Sequence, residues 1–154
     1  MGKETRFHKL LSEHKIVGID TMAFIYYFEN NLTYLPFVKT LFEFIEEGEI
    51  KGKTSVITYL EILTKPKKER RDDLVEEYEI LLTNYPNLEI IPVNKEIADV
   101  SSSLRAKYDL RTPDAIQVAT SIVEGAFLFI TNDLNMKKIQ EIEVIIMKEL
   151  LSRE

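Results

Sequence analysis

The chain has 154 residues and a mass of 18.0 kDa, enough for one domain with a sizeable core. Apolar residues make up 45% and charged residues 30%, a soluble globular balance, and no apolar run approaches the ~20 residues that cross a bilayer. A net charge of −6 argues against a protein that coats nucleic acid by bulk attraction. It leaves room for a local basic patch, or for a carboxylate cluster neutralised by a divalent cation. With no cysteine there is no disulfide framework and no thiolate metal site, in keeping with a cytoplasmic setting. Residues 1–14 are charged and lack the apolar centre of a signal peptide. They are expected to extend a single domain spanning 1–154, with 148–154 as its C-terminal end.

In chain order, Ile16-Val17-Gly18-Ile19 is an apolar run that stops on Asp20-Thr21 and passes straight into a helical pattern. It reads as a buried parallel strand. Helices are predicted over 22–29 and 34–47, the second with Phe37, Leu41, Phe44 and Ile45 at amphipathic spacing. A second strand is predicted over 53–57. A helix then starts at Thr58, carries Glu61 and stops at Lys65-Pro66. A longer helix is predicted over 70–84, a third strand over 88–93 and a helix over 95–108. Thr112-Pro113-Asp114 opens a helix to Val123, with threonine as cap and proline at the first position. A strand over 126–130, a short helix over 133–139, a strand over 144–147 and a helical end complete the pattern. Strands alternating with helices predict a three-layer α/β/α sandwich around a parallel sheet of about five strands.

Four acids are candidates for function: Asp20, Glu61, Asp114 and Asp133. Each has an ordinary explanation. Asp20 and Asp133 precede helices, where aspartate is a favoured cap. Glu61 stands three after Thr58, the spacing of a capping box. Asp114 lies in a first turn, where the helix dipole favours negative charge. Their joint placement points further, because Asp20, Glu61 and Asp133 all follow strands and share the carboxyl edge of a parallel sheet. Ligands collect at that edge in such folds. Should Asp114 land beside Asp20, the crowded carboxylates would repel unless a cation sat among them. Oxygen-only ligands suit Mg²⁺ or Mn²⁺, which can activate water and stabilise displacement at a phosphodiester.

At these residues the chain resembles the PIN-domain ribonucleases, particularly the toxin branch of VapBC-type toxin–antitoxin pairs. The likeness rests on Val17-Gly18-Ile19-Asp20-Thr21, Thr58-Tyr59-Leu60-Glu61-Ile62-Leu63, the run from Leu110 to Thr120 around Thr112-Pro113-Asp114-Ala115, and Phe129-Ile130-Thr131-Asn132-Asp133. The resemblance implies strand order 3-2-1-4-5 and a metal-dependent endoribonuclease cleaving single-stranded RNA. It implies Asp20, Glu61 and Asp114 as Mg²⁺ or Mn²⁺ ligands, Asp133 as a more weakly committed fourth and Thr131 as a polar support. It also implies a small antitoxin partner and a homodimer. Met22 departs from the pattern, since many members carry a small polar residue there.

Lys65, Lys67, Lys68, Arg70 and Arg71 form the one dense basic run, placed to hold RNA phosphates beside the cleft or simply to be solvated. Arg111 is placed either to contact a phosphate or to pair with a neighbouring acid. Tyr26, Tyr27 and Phe28 read as core, and His8 and His14 lie far from the motifs. Haloacid-dehalogenase-type phosphatases want a second aspartate where Met22 stands, receiver domains want an acidic pair at the first strand's end, and no glycine-rich phosphate loop follows any strand. The remaining rival is a catalytically silent PIN-fold module that binds RNA or a protein.

Overall fold

A computed structural model describes residues 2–151, side chains of 3–5 excepted. It contains a five-stranded sheet, all of whose pairings are parallel, in the order β3-β2-β1-β4-β5. The strands are β1 (Ile16–Ile19), β2 (Lys51–Ser55), β3 (Leu88–Ile91), β4 (Leu128–Thr131) and β5 (Glu143–Ile146). The helices are α1 (Lys3–Ser12), α2 (Thr21–Phe28), α3 (Leu35–Glu46), α4 (Val56–Lys68), α5 (Asp72–Asn84), α6 (Lys95–Tyr108), α7 (Thr112–Val123) and α8 (Met147–Leu151), with a 3-10 helix at Leu134–Lys138. The expected sandwich and strand order are both present.

Strand alternation divides the core into two layers. Val17 and Ile19 of β1, with Leu128 and Ile130 of β4, join the aromatic and aliphatic side chains of α1, α2 and α3. Phe129, one position out of phase, joins Ala115, Val118 and Ala119 of α7 and Leu104 of α6 on the other face. Gly18 sits between them, opposite α7. A Cβ there would lie 1.8 Å from Ser121 Oγ, so the missing side chain is what lets α7 rest on the middle of the sheet.

The structure revises several boundaries. The charged N-terminal segment holds α1, whose Phe7 and Leu11 are buried, with Phe7 edge-on to Phe37 of α3 at 5.8 Å. Strand β2 ends at Ser55, whose hydroxyl accepts from Ile57 N and caps α4. Helix α4 therefore begins two residues earlier than predicted, and Thr58 is an interior residue, not a cap. It also runs past Lys65-Pro66 to Lys68. So close to the helix end, Pro66 forfeits only one helical hydrogen bond, and its ring is buried. Residues 152–154 of the expected C-terminal end lie outside the described residues.

Candidate active site

The first acid sits where β1 ends. Asp20 N still donates to Ile130 O at 2.9 Å, continuing the β1–β4 pairing by one residue before the chain turns into α2. The side chain then does two things at once. Oδ1 accepts from Thr21 N at 2.8 Å, the ordinary cap of α2. Oδ2 accepts from Thr131 Oγ1 at 2.6 Å, from the last residue of β4. Asp20 is only 9% exposed. Burial raises its pKa from 3.8 to about 6; the Thr131 and Thr21 hydrogen bonds pull downward, and the nearby charges of Asp114 and Glu61 push it up further. Both acids are therefore close enough to act on it electrostatically.

Glu61 projects from the second turn of α4. Thr21 Oγ1 donates to its Oε1 at 2.7 Å, tying α4 to the residue beside Asp20. The capping-box explanation of Glu61 fails, because Ser55 caps this helix and Glu61 bonds across to α2 instead.

Asp114 is buried at the first turn of α7, the helix that lies on β1 and β2. Its carboxylate is not a solvated first-turn acid. Arg111 Nε donates to Oδ2 at 3.0 Å and Nη2 to Oδ1 at 3.4 Å. The Arg111 side chain is 77% exposed while that of Asp114 is 13% exposed, so the guanidinium lies over the acid like a lid. Hydrogen bonding to Asp114 holds the guanidinium charge, as do the fields of Asp114, Asp133 and Glu61. Of the two placements open to Arg111 in the sequence, the ion pair is the one formed. Thr112, expected as the cap of α7, is instead its first residue. Arg111 stands at the cap position and makes no capping bond to the helix amides with its side chain.

Asp133 is half-buried and caps the 3-10 helix, its Oδ1 accepting from Asn135 N at 2.9 Å. Its own N donates to Thr131 Oγ1 at 3.2 Å, so one hydroxyl joins Asp133 to Asp20. Among the described residues, no three His, Cys, Asp or Glu side chains are gathered closely enough to hold a metal ion. Arg111 is the cation that faces three of the acids, Asp114, Asp133 and Glu61.

Lys65, Lys67 and Lys68 are exposed in the last turn of α4, beyond Glu61. Lys65 and Glu61 share the wall of a cavity of about 260 Å³ with Ile25, Phe28 and Tyr78. Further round, Arg71 is bound to Asp73. Tyr27 stacks on Phe42 and Phe28 on Tyr78, packed against the core as expected, whereas the Tyr26 hydroxyl accepts from Asn132 Nδ2 at 2.9 Å.

Sequence reading passed over the floor beneath these acids. Thr21, Thr54, Ser55, Thr58 and Gln117 are all buried and hydrogen-bonded to one another. The available signal was Gln117, three residues after Asp114 on the inward face of α7. No buried side-chain polar atom among the described residues lacks a partner.

This parallel sheet, with acids from separate strands and helices at its carboxyl edge, defines an α/β fold built around a switch-point site. A sequence model of the PIN domain matches residues 17–142, and the chain belongs to the PIN domain family. Comparison with curated proteins finds no match. Several solved structures share the fold, three of which illustrate it. A toxin–antitoxin complex from Klebsiella pneumoniae has a TM-score of 0.65 at 24% identity, covering 86% of this chain and 97% of that one. VapBC2 from Rickettsia felis, bound to a DNA fragment from their promoter, has a TM-score of 0.68 at 18% identity, over 84% and 97%. DNA-bound VapBC from Salmonella typhimurium has a TM-score of 0.64 at 19% identity, over 86% and 98%.

Proposed function

We propose that this chain is a single-domain, divalent-metal-dependent endoribonuclease acting on single-stranded RNA, and the toxin half of a toxin–antitoxin pair. The observation that carries the reading is the buried Asp20 carboxylate, its pKa raised to about 6 with Asp114 and Glu61 adding their charges. An arrangement that costs stability without a cation is explained if a cation belongs there.

The donor chemistry fits such a group, which would have to draw together acids that are not gathered at coordinating distance here. Asp20, Glu61 and Asp114 offer only carboxylate oxygens, with Asp133 as a fourth, and this chemistry favours Mg²⁺ or Mn²⁺ over softer metals. When bound, the ion would supply a Lewis acid and a water of lowered pKa for phosphodiester hydrolysis. The residues around it have separate tasks. Thr131 and the Thr21 amide hold both oxygens of Asp20, fixing its carboxylate plane. Thr21 anchors Glu61. Arg111 neutralises Asp114 in the resting protein and, once released, would face the RNA phosphate together with Lys65, Lys67 and Lys68.

The toxin assignment is supported by neighbours that were solved as toxin–antitoxin complexes, and it brings a small antitoxin protein as partner. The homodimer and the cytoplasmic location belong to the same reading; no described helix is long and apolar enough to cross a membrane. One observation favours a silent RNA- or protein-binding module instead, namely that Arg111 already occupies Asp114. Incubating purified protein with varied single-stranded RNAs, with Mn²⁺ or with a chelator, separates the two. Cleavage only with metal supports the nuclease; no cleavage of any RNA supports the silent module.

A further inference from the structure

We infer that Gln117 is a positioning residue, which fixes the Thr21 hydroxyl as a donor and thereby aims Glu61 at the cation site. The inference rests on the proposed metal-dependent reading and adds a residue to it.

The hydrogens of this buried network can be assigned from its geometry. Ser55 N is a donor and lies 3.4 Å from Gln117 Oε1. Turning the amide over would set its NH2 against that N–H, so the Nε2 group must face the threonines. There it donates to Thr58 Oγ1 at 2.8 Å and to Thr21 Oγ1 at 3.3 Å. Thr54 uses its one hydroxyl proton on Ile19 O at 2.7 Å, so it can only accept from Thr58, also at 2.7 Å. Thr58 then has no proton for Thr21, and the 3.1 Å contact between their oxygens brings together two acceptors of the same amide. Of the two acceptors within reach of the Thr21 proton, the Glu61 carboxylate at 2.7 Å is charged and closer than Thr58 Oγ1 at 3.1 Å, so the proton goes to Glu61.

The order matters because Glu61 is exposed, while the four residues beneath it are nearly inaccessible. Thr54, Thr58 and Gln117 are 1%, 0% and 2% exposed, and Thr21 is 5% exposed. A buried network therefore ends on an exposed acid. Gln117 reaches Thr21 across 96 positions of sequence, joining the helix that carries Asp114 to the two that carry Thr21 and Glu61. Supporting residues of this kind change metal affinity by about 10- to 100-fold.

The test compares Mn²⁺ binding by calorimetry in wild type, Gln117→Met, Thr21→Val, Thr21→Ser and the double variant Gln117→Met/Thr21→Val, with melting temperatures in chelator. Gln117→Met and Thr21→Val should each weaken Mn²⁺ binding about tenfold. The double variant should be no weaker than Thr21→Val by more than about twofold, and Thr21→Ser should retain wild-type affinity. Unchanged affinity in Gln117→Met, or losses that simply add in the double variant, would overturn the inference; a purely structural glutamine lowers the melting temperature without this pattern. If Gln117→Met fails to fold, Thr21→Val against Thr21→Ser decides it, and equal affinities would overturn it. Wild type that binds no Mn²⁺ refutes the metal-dependent reading. The positioning role is then judged by a metal-free crystal structure of Gln117→Met, where Glu61 still seated on Thr21 would refute it and Glu61 released would sustain it.

Discussion

Thr131 donates its hydroxyl proton to Asp20 across 111 positions of sequence, in a buried bond of 2.6 Å. The bond joins the carboxyl ends of two neighbouring parallel strands at the point where the strand order reverses. Its consequence is measurable. Thr131→Val leaves a buried carboxylate oxygen without its donor and should lower stability by about 1.5–3 kcal/mol, the range for hydrogen bonds to charged groups. Urea unfolding at neutral pH checks this, and an unchanged midpoint would contradict it.

A second prediction concerns Asp20 and pH. The folded protein holds the Asp20 proton with a pKa of about 6, against 3.8 ordinarily. Between those values the native state binds more protons than the unfolded chain, so this group's contribution falls as pH rises through the window. It is fully present below about 3.8, and above about 6 roughly 3 kcal/mol of it has been lost. Asp20→Asn removes that loss and still caps α2. In chelator at pH 7.5 the variant should therefore melt above wild type, with the gap closing as pH is lowered from 6 to 4. A variant that melts below wild type at pH 7.5 would contradict the account.

Arg111 supplies a third. Because its guanidinium bonds to both oxygens of Asp114, it competes with a divalent cation for that acid. Arg111→Gln should bind Mn²⁺ more tightly than wild type while losing RNA affinity. Calorimetry and filter binding at one fixed salt concentration read the two effects. Weaker Mn²⁺ binding would show that the arginine does not guard the acid.

Gly18 offers a test of the scaffold. The Cβ of alanine would meet Ser121 Oγ at 1.8 Å and Phe129 Cδ1 at 3.2 Å, both on the α7 side of the sheet. Gly18→Ala should cost about 1–3 kcal/mol by overpacking, and Ser121→Gly in the same chain should restore part of it. Chemical denaturation of the single and double variants measures both.

The contrast between legible and illegible features has physical reasons. Asp20 and Asp133 stood out because an apolar strand ending on a carboxylate needs only adjacent residues to be seen. The alternation of strands with helices was legible for the same reason, from local runs. Glu61 was found with the wrong companion: its spacing from Thr58 suggests a capping box, but Ser55 already has the extended backbone and the hydroxyl that α4 needs. Helix α1 was missed because Phe7 and Leu11, four apart among charged residues, form a stripe only one turn long. Gln117 escaped notice because its meaning depends on Thr21, Ser55 and Thr58, which the chain delivers from three other elements. The same holds for the Arg111 lid, where pattern allowed two partners and only tertiary placement chose between them.

The central claim is that the carboxylates at this sheet edge cut RNA. The most direct measurement is cleavage of single-stranded RNA in Mn²⁺ by wild type and by Asp20→Asn, with both shown to be folded at the assay temperature. Cleavage by wild type and a loss of at least about 100-fold in the variant are expected, since a carboxylate proposed to hold the cation is removed. Equal cleavage by the two proteins would contradict that claim.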